Sequence, residues 1–362
     1  MADPRPARLA ALTDGLTSAH IDGLLVTSPA NVRYLTGFSG SSALLFVSQR
    51  DVLLITDFRY QTQAADEVGG LARLVIESQS LWTGLWQNLS QVPQVEVAGF
   101  ESAHLVHRDF QRLLEAGGRY QWRPTTDLVE SLRERKDAGE VECIRRAIAV
   151  AECALERVVE SVRAGMTERQ VAGLLEATLR DCGSDGFPFP SIVASGPNAA
   201  LPHARPSARS VCPGDLLLLD FGAVVDGYCS DITRTLVVGA STAEQRDVYE
   251  IVRLANERAT QALRPGMTGR DADSVARGYI ENRGFGEMFG HSLGHGIGLE
   301  VHEAPRLAKT ADTPLVQGAV VTVEPGIYRP GWGGVRIEDD VHLGSGGAQV
   351  LTRFPRELIE VG

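Results

Sequence analysis

Two aspartates on neighbouring apolar runs are the first residues in this sequence that could do chemistry. A dipeptide, Asp226-Gly227, lies between β-branched runs and predicts a two-residue hairpin turn, because both of its residues can take positive φ. Such a turn places Asp220 opposite Thr233 and Asp231 opposite Gly222. Asp220 and Asp231 then occupy diagonal positions on one face of the ladder, with Cα atoms roughly 7–8 Å apart.

This pair of carboxylates favours a metal site. Asp is depleted in strand interiors, and Asp220 and Asp231 on one face would repel each other. A cation between them would offset both effects. The alternative is a pair of solvated carboxylates on an exposed face, which would be the simpler interpretation for a single Asp.

Histidines in the last quarter of the chain indicate a second part of the site. Three of the eight histidines lie close together, at His291, His295 and His302. Glycines flank His295 on both sides, so backbone or a ligand can approach it closely. A lone buried histidine is usually a core residue, but three among glycines predict a functional site.

Acidic residues follow in two further segments. Glu324 comes directly after the apolar run 320–323 and before a Pro-Gly pair, so we expect it where a strand enters a turn. The segment 334–340 predicts a strand with three charged residues on one face, Arg336, Glu338 and Asp340. The alternative is an exposed acidic cluster paired with Arg336.

The elements that would position these residues contain an internal repeat. The segment Arg163–Arg169 recurs as Arg264–Arg270, and each copy lies between two predicted amphipathic helices. A long helix with a capping box at Asp137 and apolar residues at helical spacing precedes the first copy. The repeat favours duplication of a half-domain. It predicts a pseudo-twofold domain with strands between helices and a site at the junction.

The first third of the chain predicts a small α/β domain with a mixed sheet. Its second and third strands are close enough for a hairpin. We expect strands at Gly23–Thr27, Ala43–Val47, Val52–Thr56, Leu74–Ile76 and Val95–Gly99, and helices near Tyr60–Val68, Leu81–Leu89 and Leu105–Ala116. No spacing of catalytic type occurs in this part.

Length and composition limit the class of protein. A chain of 362 residues predicts two domains, and a net charge of −11 argues against nucleic acid as the partner. Five scattered cysteines predict free thiols in a reducing compartment rather than a disulfide framework. The segment Met1–Thr13 lacks the apolar core of a signal peptide, and no apolar run approaches the ~18–20 residues of a membrane span. The sequence therefore predicts a soluble cytoplasmic protein.

Together these motifs resemble the prolidase and aminopeptidase P group of pita-bread metallopeptidases. The resemblance implies α/β architecture, with a small mixed non-catalytic domain at residues 1–128 and a pseudo-twofold pita-bread catalytic domain at 129–362. It covers nearly the whole chain and is more specific in the second domain. The metal ligands that it implies are Asp220, Asp231, His295, Glu324 and Glu338.

The resemblance also implies roles for other residues. Glu324 would accept the proton of the attacking water, and His203 and His302 would stabilise the oxyanion or move a proton. Arg336 would orient Glu338 or another ligand. The residues implied to contact substrate are His203, His291, His302, Tyr328 and Arg336. Four carboxylates and one imidazole suit two divalent ions, with Mn²⁺ favoured over Co²⁺, Fe²⁺ or Zn²⁺, and a bridging water between them would become the nucleophile.

The substrate that the resemblance implies is a peptide with proline at its second position. Aminopeptidase P activity is favoured by the segment Leu201–Ser207, and a prolidase restricted to Xaa-Pro dipeptides is the alternative. The resemblance further implies a homo-oligomer, namely a dimer, with no nucleic-acid or membrane partner. A non-catalytic pita-bread binding module and a creatinase-type hydrolase are other possibilities. Retention of all five ligands argues against both.

Overall fold

The chain forms two compact units. A computed structural model of the protein describes residues 3–116 and 118–362, and its contacts divide the chain into Met1–Arg133 and Glu134–Gly362. The sequence placed the domain boundary slightly earlier, after residue 128. The expected mixed α/β class is confirmed, because helices and both parallel and antiparallel strands occur in the first unit and a helix-flanked sheet domain forms the second.

The first unit contains one six-stranded mixed sheet with helices packed against it. The strand order is β4-β3-β2-β1-β5-β6, in which β2 alone runs antiparallel to its neighbours. The predicted hairpin between the second and third strands is confirmed. The elements are α1 Arg5–Ser18, β1 Gly23–Val26, α2 Pro29–Thr36, β2 Ala43–Ser48, β3 Val52–Asp57, α3 Gln61–Val68, β4 Arg73–Glu77, α4 Leu81–Leu89, β5 Val97–Glu101, α5 His107–Ala116, β6 Gln121–Thr125 and α6 Glu130–Arg133, with a 3₁₀ turn at Phe58–Tyr60.

Four elements of this unit were not predicted, namely α1, α2, β6 and the short helix α6. Helix α1 begins within the segment Met1–Thr13, whose composition lacks the apolar core of a signal peptide, and residues 1 and 2 of that segment lie outside the described residues. Helix α2 is short and begins at Pro29, behind a Ser28 cap. Strand β6 is polar and contains Pro124, which a strand tolerates at the edge of a sheet.

The second unit is built from paired helices around two groups of strands. Its elements are α7 Ala138–Ser161, α8 Glu168–Asp181, β7 Ile192–Ser195, β8 Leu216–Phe221, β9 Val224–Val225, β10 Tyr228–Cys229, β11 Ile232–Val238, α9 Ala243–Ala262, α10 Gly269–Asn282, β12 Gly294–Gly296, β13 Glu303–Leu307, β14 Val320–Val323, β15 Gly326–Arg329, β16 Gly333–Arg336, β17 Asp339–Gly344, β18 Gly347–Val350 and β19 Glu360–Val361, with 3₁₀ turns at Gly196–Ala200 and Gly286–Met288. The larger sheets have the orders β19-β11-β8-β7 and β13-β12-β14-β17-β18. Within the described ranges, no helix is long and apolar enough to cross a membrane.

The internal repeat is confirmed as structural duplication. Thr167 caps α8 and Thr268 caps α10, each through a capping box, at the same point of the two copies. The preceding glycines, Gly165 and Gly266, have φ of 94° and 84°. Each of these glycines donates its N–H to a carbonyl of a distant loop. The two halves therefore repeat the same helix–turn–helix arrangement, as the predicted pseudo-twofold requires.

The prediction of free thiols is wrong for two of the five cysteines. Cys153 in α7 and Cys182 at the C-terminal end of α8 form a disulfide, whereas Cys143, Cys212 and Cys229 are free. The two partners are 29 residues apart. Their proximity depends on how α7 packs against α8, which cysteine spacing does not reveal. Because Cys153 and Cys182 are paired, the cysteines no longer support a reducing compartment.

Candidate metal centre

The hairpin predicted around Asp226 forms with the expected register. Asp226 and Gly227 have φ of 49° and 76°, and β8 pairs with β11 so that Asp220 lies opposite Thr233. Asp220 is 8% exposed and Asp231 is 5% exposed. The alternative of two solvated carboxylates is therefore wrong, and the hairpin carries two acidic residues into the protein interior.

Glu324 and Glu338 each lie in a short connection between two strands. Glu324 follows β14 and precedes the turn into β15, as predicted. Glu338 does not lie within one continuous strand, so that prediction is wrong. Residues before it pair with β15 and residues after it pair with β14, which leaves Glu338 at the crossing between two sheets. Its N–H donates to the Thr233 carbonyl at 3.1 Å, and this bond places Glu338 beside the hairpin.

Four of the five predicted ligands lie close together. Ligand atoms of Asp231, His295 and Glu338 are all within 4.8 Å of one another. Glu324 Oε1 lies 3.4 Å from His295 Nε2. The fifth predicted ligand, Asp220, directs one carboxylate oxygen to the Arg336 guanidinium. Metal ligation by these five residues stays a prediction.

The carboxylates of this cluster repel one another. Burial raises the pKa of Asp231, and the charges of Glu338 and Asp220 raise it further. Burial also raises the pKa of Glu338, with Glu324 and Asp220 adding to the effect. Burial raises the pKa of Glu324 to about 8. Divalent cations among these groups would remove the repulsion and favour the ionised carboxylates.

His295 presents an unprotonated nitrogen to the carboxylates. Its Nδ1 lies 3.0 Å from the Gly296 carbonyl oxygen, and a carbonyl only accepts, so Nδ1 carries the proton. Burial lowers the pKa of His295 to about 4, which keeps the imidazole neutral. The lone pair on Nε2 then faces Glu324 and Asp231, at 3.4 and 3.8 Å. A metal-binding histidine has this arrangement, with the second ring nitrogen bonded to a carbonyl or carboxylate.

Arg336 begins a chain of hydrogen bonds along one side of the cluster. Arg336 Nη1 donates to the Tyr328 hydroxyl at 2.7 Å. Tyr328 lies 2.8 Å from His291 Nε2, and His291 Nδ1 lies 2.8 Å from the Ser292 carbonyl. Because that carbonyl accepts, His291 Nε2 must accept from Tyr328. This series of hydrogen bonds fixes the direction of each bond and requires His291 to be neutral. Burial lowers the pKa of His291 to about 4, which favours the neutral form.

The remaining predicted site residues, His203 and His302, are more exposed than the cluster. The His302 ring is 4.3 Å from that of His295, centroid to centroid, in an edge-to-face contact. His203 follows Pro202, whose carbonyl accepts from Arg336 at 3.3 Å. Both histidines are exposed. Arg336 itself is 3% exposed, so the alternative of a surface acidic cluster paired with Arg336 is wrong.

Comparison with known proteins identifies the family. Residues 142–345 match the profile of Metallopeptidase family M24, and residues 8–135 match the Creatinase/Prolidase N-terminal domain. The first match alone covers more than half of the chain. The chain belongs to metallopeptidase family M24.

Solved structures and related sequences agree with this assignment. An Xaa-Pro dipeptidase from Bacillus anthracis superposes with a TM-score of 0.95 and 40% identity, covering 99% of this chain and 100% of that one. An X-Pro aminopeptidase from Thermotoga maritima MSB8 gives a TM-score of 0.91 and 39% identity, with coverage of 98% and 99%. The Xaa-Pro dipeptidase of Pyrococcus furiosus is 36% identical over 354 residues, which are 97% of this chain and 99% of that protein.

Membership of family M24 implies divalent metal ions, and the donors of this metallopeptidase fit them. The cluster offers carboxylate oxygens and one neutral imidazole nitrogen, both of which bind divalent first-row metals. Asp231 Oδ1 is buried and has no hydrogen-bond partner among the described residues. A buried oxygen without a donor is costly unless a cation satisfies it.

Arg234 is a buried residue of this M24 metallopeptidase that the sequence reasoning missed. It is 1% exposed and donates to the Glu338 carbonyl at 2.6 Å and to Asp339 Oδ1 at 2.8 Å. These bonds fix the backbone where Glu338 crosses between the sheets. The sequence does contain one indication of its role: Arg234 lies inside the apolar strand β11, where an unpaired charge would not be tolerated.

Proposed function

We propose that this M24 metallopeptidase hydrolyses the peptide bond between an N-terminal residue and a following proline, with two divalent ions as cofactors. The cluster of Asp231, His295 and Glu338 is the observation that carries the proposal, because it gathers neutral imidazole and carboxylate donors in one buried place. The substrate class comes from the names of the three relatives described above, each of which is called an Xaa-Pro or X-Pro peptidase.

Mn²⁺ is the ion that this donor set favours. Oxygen donors outnumber the single imidazole nitrogen, and carboxylate-rich sites suit Mn²⁺ better than the softer metals. Asp220, Asp231, His295, Glu324 and Glu338 would hold the ions. Bound ions of this kind polarise a carbonyl and lower the pKa of water.

Glu324 is the proposed proton acceptor. Its Oε1 accepts from Thr322 at 3.2 Å and faces His295 Nε2, while its side chain remains 17% exposed. It therefore has access to water that Asp231 and Glu338, both buried, do not have. Glu324 would take a proton from the attacking water and give it to the proline nitrogen that leaves.

Four side chains besides Glu324 are proposed to contact the substrate: His291, Tyr328, His203 and His302. His291 and Tyr328 form a wall held by Arg336, with ring centroids of His291 and Tyr328 5.4 Å apart. We propose that this wall holds the proline ring. His203 and His302 are exposed, and we propose that they stabilise the oxyanion or move a proton.

Two different observations bear on the length of peptide that the enzyme accepts. The segment Leu201–Ser207 suggested an aminopeptidase that accepts longer peptides, and the Thermotoga maritima relative carries that name. The relatives from Bacillus anthracis and Pyrococcus furiosus are named Xaa-Pro dipeptidases, which favours an enzyme restricted to dipeptides. We keep aminopeptidase activity as the first candidate and dipeptidase activity as the second.

Hydrolysis assays test the proposed substrate. We expect the Mn²⁺-loaded protein to cleave Ala-Pro and Ala-Pro-Ala, and to leave Ala-Ala nearly uncleaved, because the wall suits the proline ring. Amino acid release is measured by chromatography before and after chelation. Cleavage of Ala-Pro alone would establish the dipeptidase. Cleavage of Ala-Ala as fast as Ala-Pro, or undiminished activity after complete metal removal, would contradict the proposed function.

Two further expectations rest on the resemblance and stay proposals. The first is a homodimer, which light scattering of the purified protein would test. The second is a cytoplasmic location, for which the cysteine pattern no longer argues because Cys153 and Cys182 are paired. Neither is needed for the proposed chemistry.

A further inference from the structure

We propose that Thr233 and Thr322 are positioning residues that hold two of the proposed ligands, Glu338 and Glu324, in their metal-binding orientation. This inference rests on the proposed function, because it assigns the threonines to the same metal centre. Both threonines are 0% exposed and lie in different halves of the pseudo-twofold unit, on β11 and β14. Each carries a single hydroxyl between a nitrogen donor and a carboxylate.

Thr233 acts on Glu338. Arg336 Nε donates to Thr233 Oγ1 at 3.1 Å, and the hydroxyl lies 2.6 Å from Glu338 Oε2. The Thr233 carbonyl also accepts the N–H of Glu338. One residue therefore fixes both the backbone and the carboxylate of Glu338, at the point where the chain crosses between two sheets.

Thr322 acts on Glu324 and on His295. The backbone N–H of His295 donates to Thr322 Oγ1 at 3.1 Å, and the hydroxyl lies 3.2 Å from Glu324 Oε1. A Cβ at Gly294 would clash with the Thr322 carbonyl oxygen and lie 2.8 Å from Thr322 Oγ1, so this close approach requires glycine at residue 294. The glycine beside His295 thus allows the Thr322 hydroxyl to link two proposed ligands.

The direction of these bonds follows from the number of protons. A hydroxyl has one proton to donate. At both threonines the nitrogen neighbour can only donate and an ionised carboxylate can only accept, so the hydroxyl accepts from the nitrogen and donates its own proton to the carboxylate. One oxygen of Glu338 and one of Glu324 are therefore fixed by a donor, and the rotation of each carboxylate is limited to positions that keep this bond.

Metal titration of hydroxyl-free and hydroxyl-retaining variants tests this role. The variants are Thr233→Val, Thr322→Val, Thr233→Ser and Thr322→Ser, prepared as apo proteins and titrated with Mn²⁺ by calorimetry. Valine keeps the shape and removes the hydroxyl, whereas serine keeps the hydroxyl. Thr260→Val is the matched control, because Thr260 is a buried threonine of the same unit whose hydroxyl has no hydrogen-bond partner among the described residues.

The expected result is weaker Mn²⁺ binding by about 10–100-fold in each valine variant, the usual loss when a group that supports a ligand is removed. Serine at either position should restore affinity close to the parent value, and Thr260→Val should bind like the parent. If valine prevents folding, the corresponding alanine and serine variants measure the same hydroxyl. Hydroxyl-free variants that bind Mn²⁺ as tightly as the parent would overturn this inference alone. A parent protein that binds no Mn²⁺ would overturn the proposed function as well.

Discussion

Replacing Glu324 with glutamine is expected to lower turnover of an Xaa-Pro peptide by at least about 10²-fold, the lower range of a general-base contribution. Glutamine keeps the size of the side chain and an oxygen that can accept from Thr322, but it loses the charge and the ability to take a proton. The effect should therefore appear in kcat. Because Glu324 is also a proposed ligand, the comparison must be made at saturating Mn²⁺.

Initial-rate kinetics with elemental analysis of each sample would separate the two roles of Glu324. Glu287→Gln makes the same chemical change at an exposed residue of the same unit, and we expect it to keep parent kinetics. Turnover of Glu324→Gln near that of the parent at full metal occupancy would show that another group accepts the proton.

The histidines are expected to divide into a ligand and two supporting groups. His295→Ala should weaken Mn²⁺ binding by more than the roughly 10–100-fold that loss of a supporting group causes, and should remove activity. His203→Ala and His302→Ala should lower activity and keep most of the metal. The reason is geometric: His295 Nε2 faces Glu324 and Asp231, whereas His302 contacts the His295 ring. His203 is exposed.

Calorimetric Mn²⁺ titration of the three variants, beside Ala-Pro hydrolysis at saturating Mn²⁺, distinguishes these roles. His104→Ala serves as a control for the loss of a histidine, since His104 lies in the first unit. Loss of metal by His302→Ala as severe as that by His295→Ala would show that His295 is not the sole histidine ligand.

The sequence predicted those parts of the site that depend on local patterns. The dipeptide at Asp226 set the register of β8 and β11, and this register places Asp220 opposite Thr233. The repeat at Arg163 and Arg264 predicted the matched helix pairs. Such features follow from turn chemistry and helix caps, which act over a few residues.

The sequence could not predict contacts that depend on how distant segments meet. The resemblance implied that Arg336 orients Glu338 or another ligand, and the structure pairs it with the proposed ligand Asp220, which lies 116 residues away in the chain and which no local pattern could single out. Glu338 was expected within one strand, but its neighbours pair with different sheets. The disulfide of Cys153 depends on helix packing in the same way. Pairing and packing over long separations leave no periodic signal in a single sequence.

One buried cluster is expected to bind two divalent ions. Anomalous scattering from crystals grown with Mn²⁺, recorded at the manganese edge, tests it most directly. We predict two anomalous peaks among the side chains of Asp220, Asp231, His295, Glu324 and Glu338, with full occupancy in crystals of the active protein. Active crystals with no anomalous peak at this cluster would contradict the account.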